Sequence, residues 1–153
     1  MRKKLIGHEA PAAGDSQGWL ELDEIASVEV SSEDAQFPAE SVFVDNHSGW
    51  RAAGSGEQTL RLVFDHPRAI HRIQLSFSEH EVERTQEFTL RWSGPGGRLT
   101  DIVRQQWTFS PEGSTSEVED YRVNLNDVQV LELKLKPDLQ ANAVASLARW
   151  RVA

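Results

Sequence analysis

The stretch Thr59-Leu-Arg-Leu-Val-Phe-Asp65 decides the fold class of this chain, because large apolar residues recur along it at every second position. Leu60, Leu62 and Phe64 fall on one face of an extended segment, while the residues between them fall on the other. A period of two residues is typical of a β-strand with one buried face and one face in water. We therefore predict a strand at 59–65 whose alternate residues enter the core.

Seven other segments show a similar pattern and bring the predicted number of strands to about eight. They cover residues 25–30, 73–77, 88–92, 103–109, 121–125, 131–135 and 148–152. Turn-forming residues lie between strands at Asp65-His-Pro67, Ser93-Gly-Pro-Gly-Gly97, Ser110-Pro-Glu-Gly113 and Asn124-Leu-Asn-Asp127. No long helical period is found, and only residues 38–44 predict a helical turn or two. Many short strands with one wet face predict an antiparallel sandwich.

Length and composition exclude several classes of function. The chain has 153 residues, which is the length of one domain. Lys and Arg number 16 against 24 Asp and Glu, and this net charge of −8 argues against a nucleic-acid partner, which needs clustered cations. The absence of cysteine excludes disulfides, thiolate catalysis and thiolate metal sites. No apolar run approaches the ~18 residues of a membrane span.

The N-terminal residues 1–24 are interpreted as an extended lead-in, followed by a single domain at 25–153. Met1-Arg-Lys-Lys4 has the charge of the first part of a secretion signal. However, His8 and Glu9 interrupt the apolar stretch that must follow in such a signal. We therefore expect a cytoplasmic protein of bacterial type.

A set of motifs in a fixed order goes beyond this general pattern. The motifs are Ala26-Ser-Val-Glu-Val-Ser-Ser-Glu33, Phe37-Pro-Ala-Glu-Ser-Val-Phe-Val-Asp45, Ser48-Gly-Trp-Arg-Ala52, Glu57-Gln-Thr-Leu-Arg-Leu-Val-Phe-Asp65, Pro67 with Ile70 and Ile73-Gln-Leu75, and the C-terminal stretches 130–135 and 145–148. Together they resemble discoidin domains, also called F5/8 type C domains, over roughly residues 25–152.

The resemblance implies an all-β fold, a galactose-binding-like jelly roll in which eight strands form a β-sandwich. Most domains of this kind bind ligands and do not catalyse reactions. Bacterial members are often carbohydrate-binding modules, whereas others bind lipid head groups, collagen or protein partners. Fold alone does not choose among these ligands.

The resemblance also implies a possible Ca²⁺ site, with Asp45 and Ser48 as candidate ligands. Many bacterial relatives hold this ion partly through a Glu near the C-terminus, in a Ser-x-x-Glu motif. This chain has Ser146-Leu-Ala-Arg149 there. A cation at that position would repel Ca²⁺, which seeks six to eight oxygen ligands. We therefore expect Arg149 to pair with Asp45, and we expect no cofactor other than this doubtful Ca²⁺.

The candidate ligand-binding residues are His47, His80, Glu81 and Arg84, because sandwiches present function in loops. Planar polar side chains such as these can bind the paired hydroxyls of a sugar. We therefore predict a site for a carbohydrate in the loops at one end of the sandwich. A protein partner is the alternative, and it agrees better with an intracellular location.

The tryptophans and the strand arginines are assigned to structural roles. Trp92, Trp107 and Trp150 alternate with polar residues in their strands, and relatives bury the residue at the position of Trp50, so all four should pack in the core. Trp19 lies in the lead-in and should cover the sandwich. Arginines on the wet faces, namely Arg91, Arg104, Arg149 and Arg151, should pair with carboxylates on neighbouring strands. An arginine-lined face for a partner is the alternative.

Enzymatic motifs are missing from the sequence. It contains no Gly-x-Ser-x-Gly, no phosphate-binding loop, no His-Glu-x-x-His and no dinucleotide fingerprint. Carboxylate pairs occur, such as Glu79 with Glu81, but glycosidase chemistry needs two carboxylates that face each other across a cleft. We therefore predict a non-catalytic binding module.

Overall fold

The computed structural model describes residues 18–45, 48–140 and 142–153. A short helix α1 (Leu22–Ile25) leads into the first strand, and a 3₁₀ helix (Ala39–Phe43) follows it, as residues 38–44 predicted. The eight strands are β1 (Ala26–Val30), β2 (Trp50–Ser55), β3 (Gln58–Ser78), β4 (Arg84–Ser93), β5 (Thr100–Phe109), β6 (Ser116–Lys136), β7 (Val144–Leu147) and β8 (Arg149–Val152).

All strand pairs are antiparallel, and a ribbon of β3 and β6 organises them. The hydrogen-bonded order is β1-β3-β6-β4-β5, with β8 on the other part of β3 and a separate pair of β2 with β7. β1 pairs with β3 from Leu60 to Phe64, whereas β8 pairs with it only between Ile73 and Ser76. The ribbon therefore belongs to both layers of a sandwich. This confirms the predicted eight-stranded all-β fold.

Two of the predicted turns are wrong, because they lie inside long strands. The segments around 65–67 and 124–127 are irregular parts of β3 and β6, where the pairing register shifts between Val63 and Arg72. Residues typical of turns also suit bulges, since Asp127 adopts a positive φ of 57° and Pro67 lacks an N–H to donate. The strands predicted at 59–65 and 73–77 are therefore one strand, as are those at 121–125 and 131–135.

The core lies between the two layers and contains the residues that the alternation selected. Leu60, Leu62 and Phe64 are buried, as are Trp50 and Trp150. Trp92 and Trp107 are half-buried and pack against this core. Phe77 of β3 stacks on Phe88 of β4 with ring centroids 5.4 Å apart, although these strands are not hydrogen-bonded neighbours. The predicted core packing is confirmed for Trp50 and Trp150, whereas Trp92 and Trp107 are only partly buried.

The described part of the lead-in packs on the sandwich. Leu22 is buried in the core, and the backbone N–H of Leu20 donates to the carbonyl of Val152 at 2.8 Å. Trp19 contacts the guanidinium groups of Arg72 and Arg151. Residues 1–17 of the predicted lead-in lie outside the described residues. Among the residues that the structure describes, no helix has the length and apolar character needed to cross a membrane.

Candidate functional site

Three connections meet at one end of the sandwich, which we call the loop end. They are residues 79–83 between β3 and β4, residues 110–115 between β5 and β6, and the residues that follow β6. The N–H of Glu79 donates to the carbonyl of Thr115 at 2.8 Å, and the N–H of Leu139 donates to the carbonyl of Thr85 at 2.9 Å. These two bonds hold the three connections together.

Arg84 links the connections from beneath the surface. Its Nε donates to Glu79 Oε1 at 2.7 Å, and its Nη1 donates to the carbonyl of Pro137 at 2.8 Å. The guanidinium carbon lies 4.9 Å from the centre of the Phe109 ring. Only 1% of the Arg84 side chain is exposed. The guanidinium therefore positions the loops and is not presented to solvent, contrary to its prediction as a direct ligand contact.

Glu79 sets the conformation of the 79–83 connection. Its Oε2 accepts hydrogen bonds from the backbone N–H groups of Glu81 and Val82, at 3.1 and 3.3 Å. Partial burial opposes the ionisation of Glu79, but the bonds from Arg84 and these two N–H groups outweigh it and lower its pKa. The ionised carboxylate thus closes a tight turn that presents the next residues.

The predicted ligand residues are distributed differently. His80 and Glu81 are exposed at the tip of this turn. His47 lies outside the described residues, so its prediction stays a prediction. Two apolar residues at the same end were not singled out from the sequence: Val82 is 51% exposed and Leu139 is 42% exposed. The sequence places both of them in polar loops. A large aliphatic residue in such a loop cannot reach the core, so its exposure could have been predicted.

A second polar layer lies below Arg84. Gln86 is fully buried, accepts from Arg84 Nη1 at 3.2 Å, and donates through Nε2 to Glu117 Oε1 at 2.9 Å. The Glu117 side chain is buried, and its Oε2 has no hydrogen-bond partner among the described residues. Burial, together with the neighbouring carboxyl group of Glu119, raises the pKa of Glu117 to about 8. Glu117 is therefore largely protonated at neutral pH.

The surroundings of Asp45 do not fit Ca²⁺. Its Oδ1 accepts from Arg149 Nη1 and from Arg151 Nη2, the latter at 3.1 Å. These bonds, with the one from Arg149 first, lower the pKa of Asp45. The predicted Arg149–Asp45 pair is confirmed. Two guanidinium groups on one carboxylate would repel a hard cation, and Ser48 adds a single hydroxyl. No group of three or more metal-binding side chains is found in the described parts of the chain.

The arginines on the sheet faces are paired, as the alternation predicted. Arg91 Nη2 lies 2.7 Å from Glu132 Oε1, and Arg104 Nη2 lies 2.9 Å from Glu87 Oε2. Arg61 binds the second oxygen of Glu132 at 2.8 Å. The hydrogen bonds from Arg61 and Arg91 counter the burial of Glu132 and lower its pKa. This face therefore carries compensated charges.

Comparison with known proteins places the fold. No protein-family model and no curated protein matches the chain. A solved structure, the family 32 carbohydrate-binding module from C. perfringens NanJ in complex with galactose, has a TM-score of 0.61 at 16% identity and covers 88% of this chain and 96% of its own. CBM32-3 from a family 31 glycoside hydrolase of Clostridium perfringens has a TM-score of 0.65 at 14% identity, with 90% and 95% covered.

A lectin domain shows the same likeness. The lectin domain of lectinolysin complexed with Lewis B antigen has a TM-score of 0.63 at 15% identity and covers 88% of this chain and 96% of its own. The similarity extends over nearly the whole of each domain, whereas the identities are too low to transfer a ligand. The chain therefore has the discoidin-like β-sandwich fold of these carbohydrate-binding modules and lectin domains.

Proposed function

We propose that this protein is a non-catalytic carbohydrate-binding module. The observation that carries the proposal is the likeness of its whole sandwich to modules and lectin domains whose structures contain galactose or a Lewis antigen. The neighbours are binding modules, although one comes from a glycoside hydrolase. The binding role rests on fold likeness, so it requires support from the residues of this chain.

The loop end supplies suitable groups for weak sugar binding. His80 and Glu81 offer a ring nitrogen and a carboxylate to paired hydroxyls. Val82 and Leu139 offer an exposed apolar contact at the same end. Arg84 and Glu79 fix the turn that carries three of these four residues, so little ordering is needed on binding. We propose that a sugar binds across this surface, whereas His47 stays a candidate from the sequence alone.

A titration with galactose followed by amide NMR tests the proposal. We expect the backbone signals of His80 and Glu81 to move with increasing galactose and to saturate. His80→Ala should weaken binding at least tenfold, because it removes a planar group from the contact. His66→Ala is the matched control, since His66 is also exposed but lies in the irregular part of β3.

The contrary result is equally clear. If galactose, glucose and N-acetylglucosamine leave every loop-end signal in place, the carbohydrate proposal fails at this site. The exposed Val82 and Leu139 would then favour a protein partner, whose interface has an apolar centre and a polar rim.

A further inference from the structure

A cleft of about 240 Å³ lies beside β8, away from the residues of the loop end. Residues 19–23 form one side, and the end of the 3₁₀ helix and β8 form the other. We call it the Trp19 cleft. Its polar and aromatic lining includes Trp19, Glu21, Asp23, Asp45, Arg149 and Arg151. Its volume is smaller than the roughly 300–1,000 Å³ of pockets for drug-sized molecules, which suits a single small ring.

Charged groups of both signs line the cleft. They are the guanidinium groups of Arg149 and Arg151 and the carboxylates of Glu21, Asp23 and Asp45. The three carboxylates would disfavour an anion, and the two guanidinium groups would disfavour a hard cation. Hydrogen-bond donors and acceptors therefore both line the cleft, and its positive and negative groups are nearly equal in number. A neutral ligand whose groups both donate and accept fits such a lining, and a hydroxyl group does both.

The cleft also has donors in excess. A guanidinium carries five N–H groups, whereas Asp45 Oδ1 receives one bond from each arginine. Arg149 Nε and Trp19 Nε1 are buried and have no hydrogen-bond partner within the described ranges. Buried donors without partners are uncommon in native proteins, and both of these belong to residues that line the cleft.

Trp19 is held in place rather than free to move. Its ring lies 4.6 Å from the guanidinium carbon of Arg72 and 5.8 Å from that of Arg151. Arg72 is itself fixed by Asp120, through Nε to Oδ1 at 2.9 Å. An aromatic ring that is already ordered offers an apolar surface at a small cost in entropy.

We infer that the Trp19 cleft is a second sugar site, for the single ring of a neutral monosaccharide or the terminal residue of a glycan. The hydroxyls accept from Arg149 and Arg151 and donate to Asp45, while the ring of the sugar contacts Trp19. This inference goes beyond the proposed loop-end site, and it rests on the proposed function only for the class of ligand.

The test is an NMR titration of the full chain with galactose, glucose, N-acetylglucosamine and glucuronate, in which both sites report at once. The indole N–H signal of Trp19 reports the cleft, and the amide signal of His80 reports the loop end. We expect a neutral sugar to move the Trp19 signal in a saturable way. Signal assignment comes from Trp19→Leu, which removes one of the five tryptophans.

Two further variants separate binding from general effects. Arg151→Gln should weaken the response of Trp19 at least tenfold, because it removes a charged donor and a contact to the ring. Arg122→Gln is the matched control, since Arg122 is exposed on β6 opposite Arg72 but does not line the cleft. It should leave the response unchanged.

Each outcome decides the inference. A moving His80 signal with a fixed Trp19 signal overturns the second site and leaves the proposed function in place. A Trp19 signal that moves only with glucuronate overturns the assignment of a neutral ligand. Fixed signals at both positions overturn both proposals. A Trp19 response that Arg122→Gln weakens as much as Arg151→Gln shows a general charge effect and also refutes the site.

Discussion

Replacing Glu117 by Gln should stabilise the protein at neutral pH, and the gain should grow as the pH rises. In the folded protein Glu117 is buried, accepts from Gln86 and has a pKa of about 8, raised by burial and by Glu119. In the unfolded chain the same carboxyl has a pKa near 4.5. Folding above pH 4.5 therefore requires this group to take up a proton, or to remain ionised in the core.

The expected size follows from the two pKa values. The folded state binds more protons than the unfolded state between pH 4.5 and 8, so the stability of the natural protein falls as the pH rises through this range. One pKa unit corresponds to about 1.4 kcal/mol, so the loss reaches about 3 kcal/mol by pH 7. Glu117→Gln keeps the shape and stays neutral, and it should escape this loss.

The assay is urea denaturation of the two proteins at several pH values between about 5 and 8. Urea is uncharged and leaves the electrostatics unscreened. We compare the free energy of unfolding of the variant with that of the natural protein. The other titrating groups contribute equally to both values, so their contribution drops out of the difference. This difference should increase by up to about 1.4 kcal/mol per pH unit. Glu112→Gln, in the exposed 110–115 connection, is the control and should show no such trend.

A difference that does not change with pH would refute the reasoning. It would mean that Glu117 has the same proton affinity in both states, despite its burial. A variant that is less stable than the natural protein near pH 8 would mean that the folded protein needs the ionised carboxylate. The guanidinium of Arg84, which donates to Gln86, would then compensate the negative charge of Glu117.

Three other predictions follow from single contacts. Gly49→Ala should cost more than about 1 kcal/mol in urea denaturation, because φ is +86° and the new Cβ would clash with the Leu147 carbonyl oxygen; an unchanged midpoint would contradict this close approach. Glu132→Ala should cost about 2 kcal/mol, since it leaves two arginines without their buried partner; a loss below half of that would show that water replaces it. Adding EDTA should leave the melting temperature unchanged, because Arg149 and Arg151 already bind the carboxylate of Asp45; a fall in the melting temperature would reveal a bound metal.

The alternation of the sequence predicted which residues are buried better than it predicted where strands end. The alternate residues of both segments face the core as expected, namely Leu60, Leu62, Phe64, Ile73, Leu75 and Phe77. The residues between them predicted a turn, because Asp, His and Pro commonly form one. Whether such residues close a hairpin or bend a continuous strand depends on the partner, and β6 carries its own irregularity opposite β3. One strand viewed alone does not contain this information.

The candidate site was harder to predict, because its organising residue resembles a surface residue. Arg84 follows a run of charged residues, and nothing local distinguishes it from them. Its burial arises from Pro137 and Phe109, which are distant in sequence. The pairing of Arg149 with Asp45 was predictable only because the resemblance placed both residues at one position. The Trp19 cleft depends on how the lead-in packs against β8, which no periodicity reveals.

The β3–β6 ribbon also has a consequence for the order of events during synthesis. Ser78 pairs with Ser116 at one end and Gln58 with Leu135 at the other, and all of β4 and β5 lies between the two strands in the chain. A growing chain therefore leaves the edge of β3 that binds β6 unpaired until β6 has left the ribosome, although β1 can already pair with the other edge at Leu60 to Phe64. Such distant pairings fold slowly and expose strand edges meanwhile. Residues 58–78 should be the segment most exposed to misassociation before the chain is complete.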